Sequence, residues 1–72
     1  MARMQVLSEV SGSVWKIECA PGADLGADDT IMIIESMKME IPVAAPRAGR
    51  IVEIRVAEGE PVKEGQVVAV IE

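Results

Sequence analysis

The segment Gly49–Glu72, GRIVEIRVAEGEPVKEGQVVAVIE, is a second copy of Gly12–Glu35, GSVWKIECAPGADLGADDTIMIIE. A gapless shift of 37 residues places Gly12 on Gly49, Ile17 on Ile54, Ala20 on Ala57, Gly22 on Gly59 and Glu35 on Glu72. The apolar positions agree in phase as well. Val14 falls on Ile51, Trp15 on Val52, Cys19 on Val56, Leu25 on Val62, and Ile31, Ile33 and Ile34 on Val68, Val70 and Ile71. Upstream, Met4 on Ile41 and Val6 on Val43 extend the match, so the repeat runs approximately over 1–35 and 38–72. Each copy has too few apolar residues to close a core alone, so the two must pack against each other.

Within each copy the order is strand, loop, strand. Val14 to Cys19 alternates, with Trp15, Ile17 and Cys19 on one side and Lys16 and Glu18 on the other, the pattern of a half-buried strand. Ile51 to Ala57 alternates likewise, with Val52, Ile54 and Val56 facing one way. Residues 21–29 and 58–66 are loops by composition, with Gly22 and Gly59 expected at positive φ. Thr30 to Glu35 and Val67 to Ile71 read as buried strands. Ile41 to Ala44 is a further strand that Pro42 confines to an edge, and 46–49 is a turn. The expected architecture is a single all-β domain over 1–72, a two-sheet sandwich with quasi-two-fold symmetry.

Composition narrows the function. Half the residues are apolar but aliphatic, with Trp15 the one aromatic. No apolar run approaches the ~20 residues of a membrane-spanning helix, and the N-terminus lacks a signal-peptide core, so the chain reads as soluble. A single cysteine, Cys19, cannot close an internal disulfide, which suits a reducing, cytoplasmic setting. With no histidine and no paired cysteines, no metal partner is expected. A net charge of −5, with scattered basic residues and no aromatic platform, speaks against nucleic acid.

The repeat also singles out the junction Glu35-Ser36-Met37-Lys38-Met39-Glu40. Its symmetry mate is the pair of chain ends, Glu72 and Met1, so the junction should sit at one end of the sandwich with the termini opposite. A reversal is forced there, yet none of the Gly, Asn or Asp residues that tight hairpins favour is present. Breaking local rules at one exposed place points to function. A lysine at a hairpin tip is by itself an ordinary solvated residue. Two methionines beside it, Met37 and Met39, suggest an adaptable contact surface. A catalytic amine needs burial or neighbouring cations, whereas Lys38 has Glu35 and Glu40 around it. Modification by another enzyme needs only access and a recognisable shape.

The central Met37-Lys38-Met39, the openings at Gly12 and Gly49 and the closing loop Glu58-Gly59 to Gly65-Gln66 resemble the biotinyl domain of biotin-dependent carboxylases. The resemblance covers essentially the whole chain. The family motif is usually Ala-Met-Lys-Met, so Ser36 is a small departure. The fold this implies is a flattened β-sandwich or barrel of two four-stranded sheets, of the type without an inserted thumb. It implies that biotin is amide-linked to Lys38 by a biotin protein ligase, with Glu35, Met37 and Met39 as features the ligase recognises. A biotin carboxylase and a carboxyltransferase would be the further partners of a carrier that is not itself catalytic. Two alternatives stay open. The lipoyl domain of 2-oxoacid dehydrogenases has the same fold, with lipoate on a lysine at the same place, but its motif is usually Asp-Lys-Ala. A β-sandwich interaction module with a Met-rich tip is the other.

Other residues take plainer readings. Cys19 and Trp15 pair with Val56 and Val52 in the repeat and are expected in the core. Asp24, Asp28 and Asp29 miss the calcium-loop spacing and read as a solvated acidic rim.

Overall fold

A computed structural model describes residues 2–72 and places eight strands in them. They are β1 Met4–Leu7, β2 Gly12–Ile17, β3 Asp24–Leu25, β4 Thr30–Ser36, β5 Met39–Ala44, β6 Gly49–Ile54, β7 Pro61–Val62 and β8 Val67–Ile71. All pairings are antiparallel, in two four-stranded sheets of order β1-β8-β6-β3 and β5-β4-β2-β7. Each sheet contains strands from both copies of the repeat. Neither copy therefore completes a sheet alone.

The register carries the repeat residue by residue. Val14 pairs with Ile34, Lys16 with Ile33 and Ile17 with Met32, and 37 positions on Ile51 pairs with Ile71, Glu53 with Val70 and Ile54 with Ala69. Loop hydrogen bonds follow suit. Gly22 N–H donates to Ile51 O as Gly59 N–H donates to Val14 O. Gly22 and Gly59 have φ of 93° and 88°, where a side chain would be strained. The core between the sheets is aliphatic, with Val14, Ile31, Met32, Ile34, Ile51, Val68, Ala69 and Ile71 at 1% exposure or less. Pro42 sits in β5 at the edge of its sheet, where its missing N–H costs no ladder bond.

Three expectations change. Trp15 is not in the core. The pairing slips between Val14 and Lys16, a bulge that leaves Trp15 unpaired, so Val14 turns inward and Trp15 is 49% exposed. The same slip between Ile51 and Glu53 puts Ile51 inside and leaves Val52 and Ile54 half-buried. Period-two alternation cannot foresee an inserted residue. Second, the segments read as loops hold the short strands β3 and β7, which pair across the repeat with β6 and β2. Two residues are too few for a hydropathy pattern. Third, the acidic rim is exposed but not merely solvated: Asp29 Oδ2 accepts from Gly26 N–H at 2.8 Å, and Asp24 pairs with Arg50 at 3.2 Å.

The symmetry sets the two ends of the 36 × 17 × 17 Å body apart. Chain leaving β2 returns at Gly22 to Ile51, and Leu25 pairs with Gly49. The start of β6 is therefore at the far end of the molecule from the start of β2. Gly12 lies against Glu35, just below the turn of the β4–β5 hairpin, and Gly49 lies against Glu72. Ala2, Arg3 and Glu72 thus lie opposite the hairpin, while Met1 lies outside the described residues.

Candidate functional site

Strands β4 and β5 pair from Thr30 and Ala44 down to Ser36 and Met39, which leaves Met37 and Lys38 as a two-residue loop. Both have positive φ, 51° and 66°. That is the type I′ pattern, whose backbone twist matches the twist of the flanking strands. For residues carrying a Cβ the left-handed region costs roughly 1–2 kcal/mol each. Asn-Gly would make the same turn with less strain, so packing and pairing in β4 and β5 must hold this one. The apolar run of β4, with Ile31, Met32 and Ile34 fully buried, supplies that hold.

Every expected site residue lies on this hairpin. Lys38 is exposed at its tip, and no ion pair among the described residues involves it. Met37 is 93% exposed and Met39 63%, so neither is drawn into the end of the sandwich. Glu35 and Glu40 face each other as a directly opposed pair one step below, both exposed. Like charges so placed oppose pairing. An apolar, acid-flanked tip is thus maintained against several local preferences at once.

Two surface depressions lie away from the lysine. They measure ≈ 220 and ≈ 530 Å³ and are lined by 7–10 with 41–44 and by Asp24, Leu25, 48–50 and Glu72. Neither includes Met37, Lys38 or Met39. Among the described residues, no group of three His, Cys, Asp or Glu side chains is placed to hold a metal ion. The arrangement offers the exposed Lys38 amine to an outside reagent.

Sequence reasoning missed what braces the hairpin. Ser36 Oγ–H donates to Ser11 O at 2.7 Å, and Ser11 Oγ accepts from Glu64 N–H at 3.1 Å. Ser36 stood out as a departure from a motif, but nothing in the sequence pairs it with a residue 25 positions upstream. Away from the tip, Cys19 is half-buried and its Sγ–H points to Ile31 O at 3.6 Å. Burial, and then the carboxylate of Glu18, push its pKa up.

A family model described as "Biotin-requiring enzyme" matches residues 2–71. The biotin/lipoyl attachment protein of Bacillus subtilis is 39% identical over 64 residues, covering 89% of this chain and 88% of that one. Urea amidolyase of Saccharomyces cerevisiae is 42% identical over 67 residues, 93% of this chain but only 4% of that much longer protein. The crystal structure of Kluyveromyces lactis urea carboxylase superposes with a TM-score of 0.94 at 36% identity, over all of this chain and 6% of that one.

Proposed function

The chain belongs to the biotin/lipoyl attachment family, and from that membership we propose that it is a covalent biotin carrier modified at Lys38. One observation carries the choice of residue: Lys38 is held at the tip of a strained two-residue turn, between two exposed methionines. The donor chemistry fits the group. Amide formation needs a primary amine that an outside enzyme can reach, and no neighbouring side chain ties this one down. When bound, biotin supplies a ureido nitrogen that accepts and releases carboxylate.

The chain's own residues present and transport. The β5-β4-β2-β7 sheet holds both strands of the hairpin, and biotin on Lys38 would extend outward from it. A tether turns each encounter with an active site into an intramolecular event at high effective concentration. Glu35, Met37 and Met39 form the recognition surface for a biotin protein ligase, with apolar contact from the methionines and charge from the carboxylate. A biotin carboxylase loads the arm and a carboxyltransferase unloads it; the carrier itself performs neither step, and we place it in the cytoplasm with them. The name of urea carboxylase, a much longer protein that this chain superposes on, supports a carboxylase assembly as its setting.

Intact mass decides the matter. Co-expression with a biotin protein ligase and biotin should give one biotin adduct, mapped by peptide sequencing to Lys38. A complete but unmodified chain would refute the proposal. A lipoyl adduct in cells that make both groups would move the chain to the lipoyl side of its family.

A further inference from the structure

The quasi-two-fold symmetry is kept closely in the loops and broken at the hairpin. Gly26 N–H to Asp29 Oδ2 has its mate in Lys63 N–H to Gln66 Oε1, and Asp28 N–H to Ala45 O in Gly65 N–H to Ser8 O. The pair of bonds through Ser11 has no such mate. Shifted by 37, Ser11 becomes Ala48 and Glu64 becomes Ala27, so no hydroxyl stands at the equivalent place. At the Lys38 end alone, one serine joins three segments: β4 through Ser36, the β1–β2 connection through its own backbone, and the β7–β8 loop through Glu64. The β1–β2 connection is itself fastened, since Ser8 is buried and exchanges backbone bonds with Gly65 and Gln66. The brace therefore runs from the last paired residue before the Lys38 turn to the body of the sandwich.

We infer that Ser36 and Ser11 are positioning residues for the modification of Lys38, an inference that rests on the carrier reading above. Ser36 lies one residue before the turn, on the strand that carries it. A hydrogen bond from its hydroxyl to an anchored carbonyl restricts how β4 tilts and twists at its end. Because Met37 and Lys38 sit in a sparsely populated backbone region, their geometry depends on the strand ends staying in place. An alanine here, the usual residue of the family motif, packs similarly but leaves Ser11 O without this donor. A ligase then has to select the competent tip geometry from a wider ensemble, and its apparent affinity falls by the fraction that remains competent. The loss belongs in KM. kcat is untouched, because the chemistry is the ligase's own.

The test is steady-state biotinylation by a purified biotin protein ligase with biotin and ATP, over a range of carrier concentrations. Ser36→Ala should raise KM by about fivefold, the scale of one ordinary hydrogen bond, with kcat unchanged. Ser36→Thr, which keeps the hydroxyl, should restore it. Unchanged KM in Ser36→Ala overturns the inference, whatever happens to the melting temperature. So does equal impairment of the Ala and Thr variants, which would assign the effect to shape. If the native chain accepts no biotin at all, the carrier reading fails and the brace is judged by amide exchange alone. Faster exchange of Met39 N–H in Ser36→Ala and of Glu64 N–H in Ser11→Ala would support it, and unaltered exchange at both would overturn it.

Discussion

Under the Met37–Lys38 turn, Gly12 lies against Glu35; at the other end of the molecule its mate Gly49 lies against Glu72. Around Glu72 the surroundings are conventional. Arg3 pairs with Glu72 at 3.8 Å, Arg47 donates to Ala2 O and Ala48 O, and Arg50 reaches Asp24. Opposite charges meet, and backbone carbonyls find donors. At the hairpin end the choices run the other way, with two glutamates opposed, two methionines in water and two successive side chains at positive φ, where the opposite end has Asp28 alone among the described residues. Since the repeat supplies both ends with the same frame, the frame does not demand these features. They are particular to the Lys38 end, which is what the proposed presentation of that lysine calls for.

The widest separation between the ends is chemical. Lys38→Arg should abolish labelling completely while leaving the far-ultraviolet spectrum and unfolding midpoint unchanged, because guanidinium keeps the charge but is not acylated. Partial labelling of this variant would mean that another amine serves. Loss of the fold would make Lys38 a structural residue and erase the distinction between the ends.

Next is the glycine pair. A Cβ on Gly12 would collide with the backbone of Glu35 and with Cγ2 of Ile34, a fully buried side chain. On Gly49 it would meet Glu72 O at 2.6 Å, and its next neighbour is the flexible guanidinium of Arg47 at 3.4 Å. Both substitutions overpack, but only the first is boxed in by the core. Gly12→Ala should cost about 3 kcal/mol and Gly49→Ala about 1 kcal/mol in urea denaturation. The reverse order would show that the hairpin end is the more yielding of the two.

The turn gives a smaller effect of opposite sign. Replacing Met37-Lys38 by Asn-Gly should stabilise the domain by about 1 kcal/mol, by relieving Cβ strain in a type I′ geometry. It should also end labelling. No gain in stability would mean that the flanking strands relieve the strain already.

How much of this was legible beforehand follows from the ranges of the signals involved. The repeat is long and gapless, so the two-sheet sandwich and the exposed Lys38 opposite residues 2, 3 and 72 could be read from it. The turn type could not be read from Ser-Met-Lys-Met, whose residues disfavour it; only the forced reversal placed a bend there. Trp15 was misplaced because a bulge shifts the phase by one residue, and hydropathy averaged over a strand does not register a single insertion. The Ser36–Ser11–Glu64 brace was invisible for a different reason. Its bonds join positions 25 and 53 residues apart, and one of its donors is a backbone amide that carries no sequence signature.

The smallest effect compares the halves rather than the ends. Cys19 and Val56 are mates in the repeat, yet Val56 is buried and Cys19 only half-buried. Cys19→Val imports the other half's residue, trading a weak thiol contact to Ile31 O for apolar contact of similar size, and should lie within about 0.5 kcal/mol of the native chain near neutral pH. The difference should appear in alkali. Burial and Glu18 raise the thiol pKa in the folded state, so the fold holds that proton more tightly than the unfolded chain does. The contribution is fully present below the unfolded thiol pKa and is lost as pH rises through the folded one. The native chain should therefore lose stability over that window by an amount that Cys19→Val does not. Denaturation midpoints of the two chains from neutral to mildly alkaline pH measure it directly, and parallel curves would show that Cys19 ionises equally readily in both states.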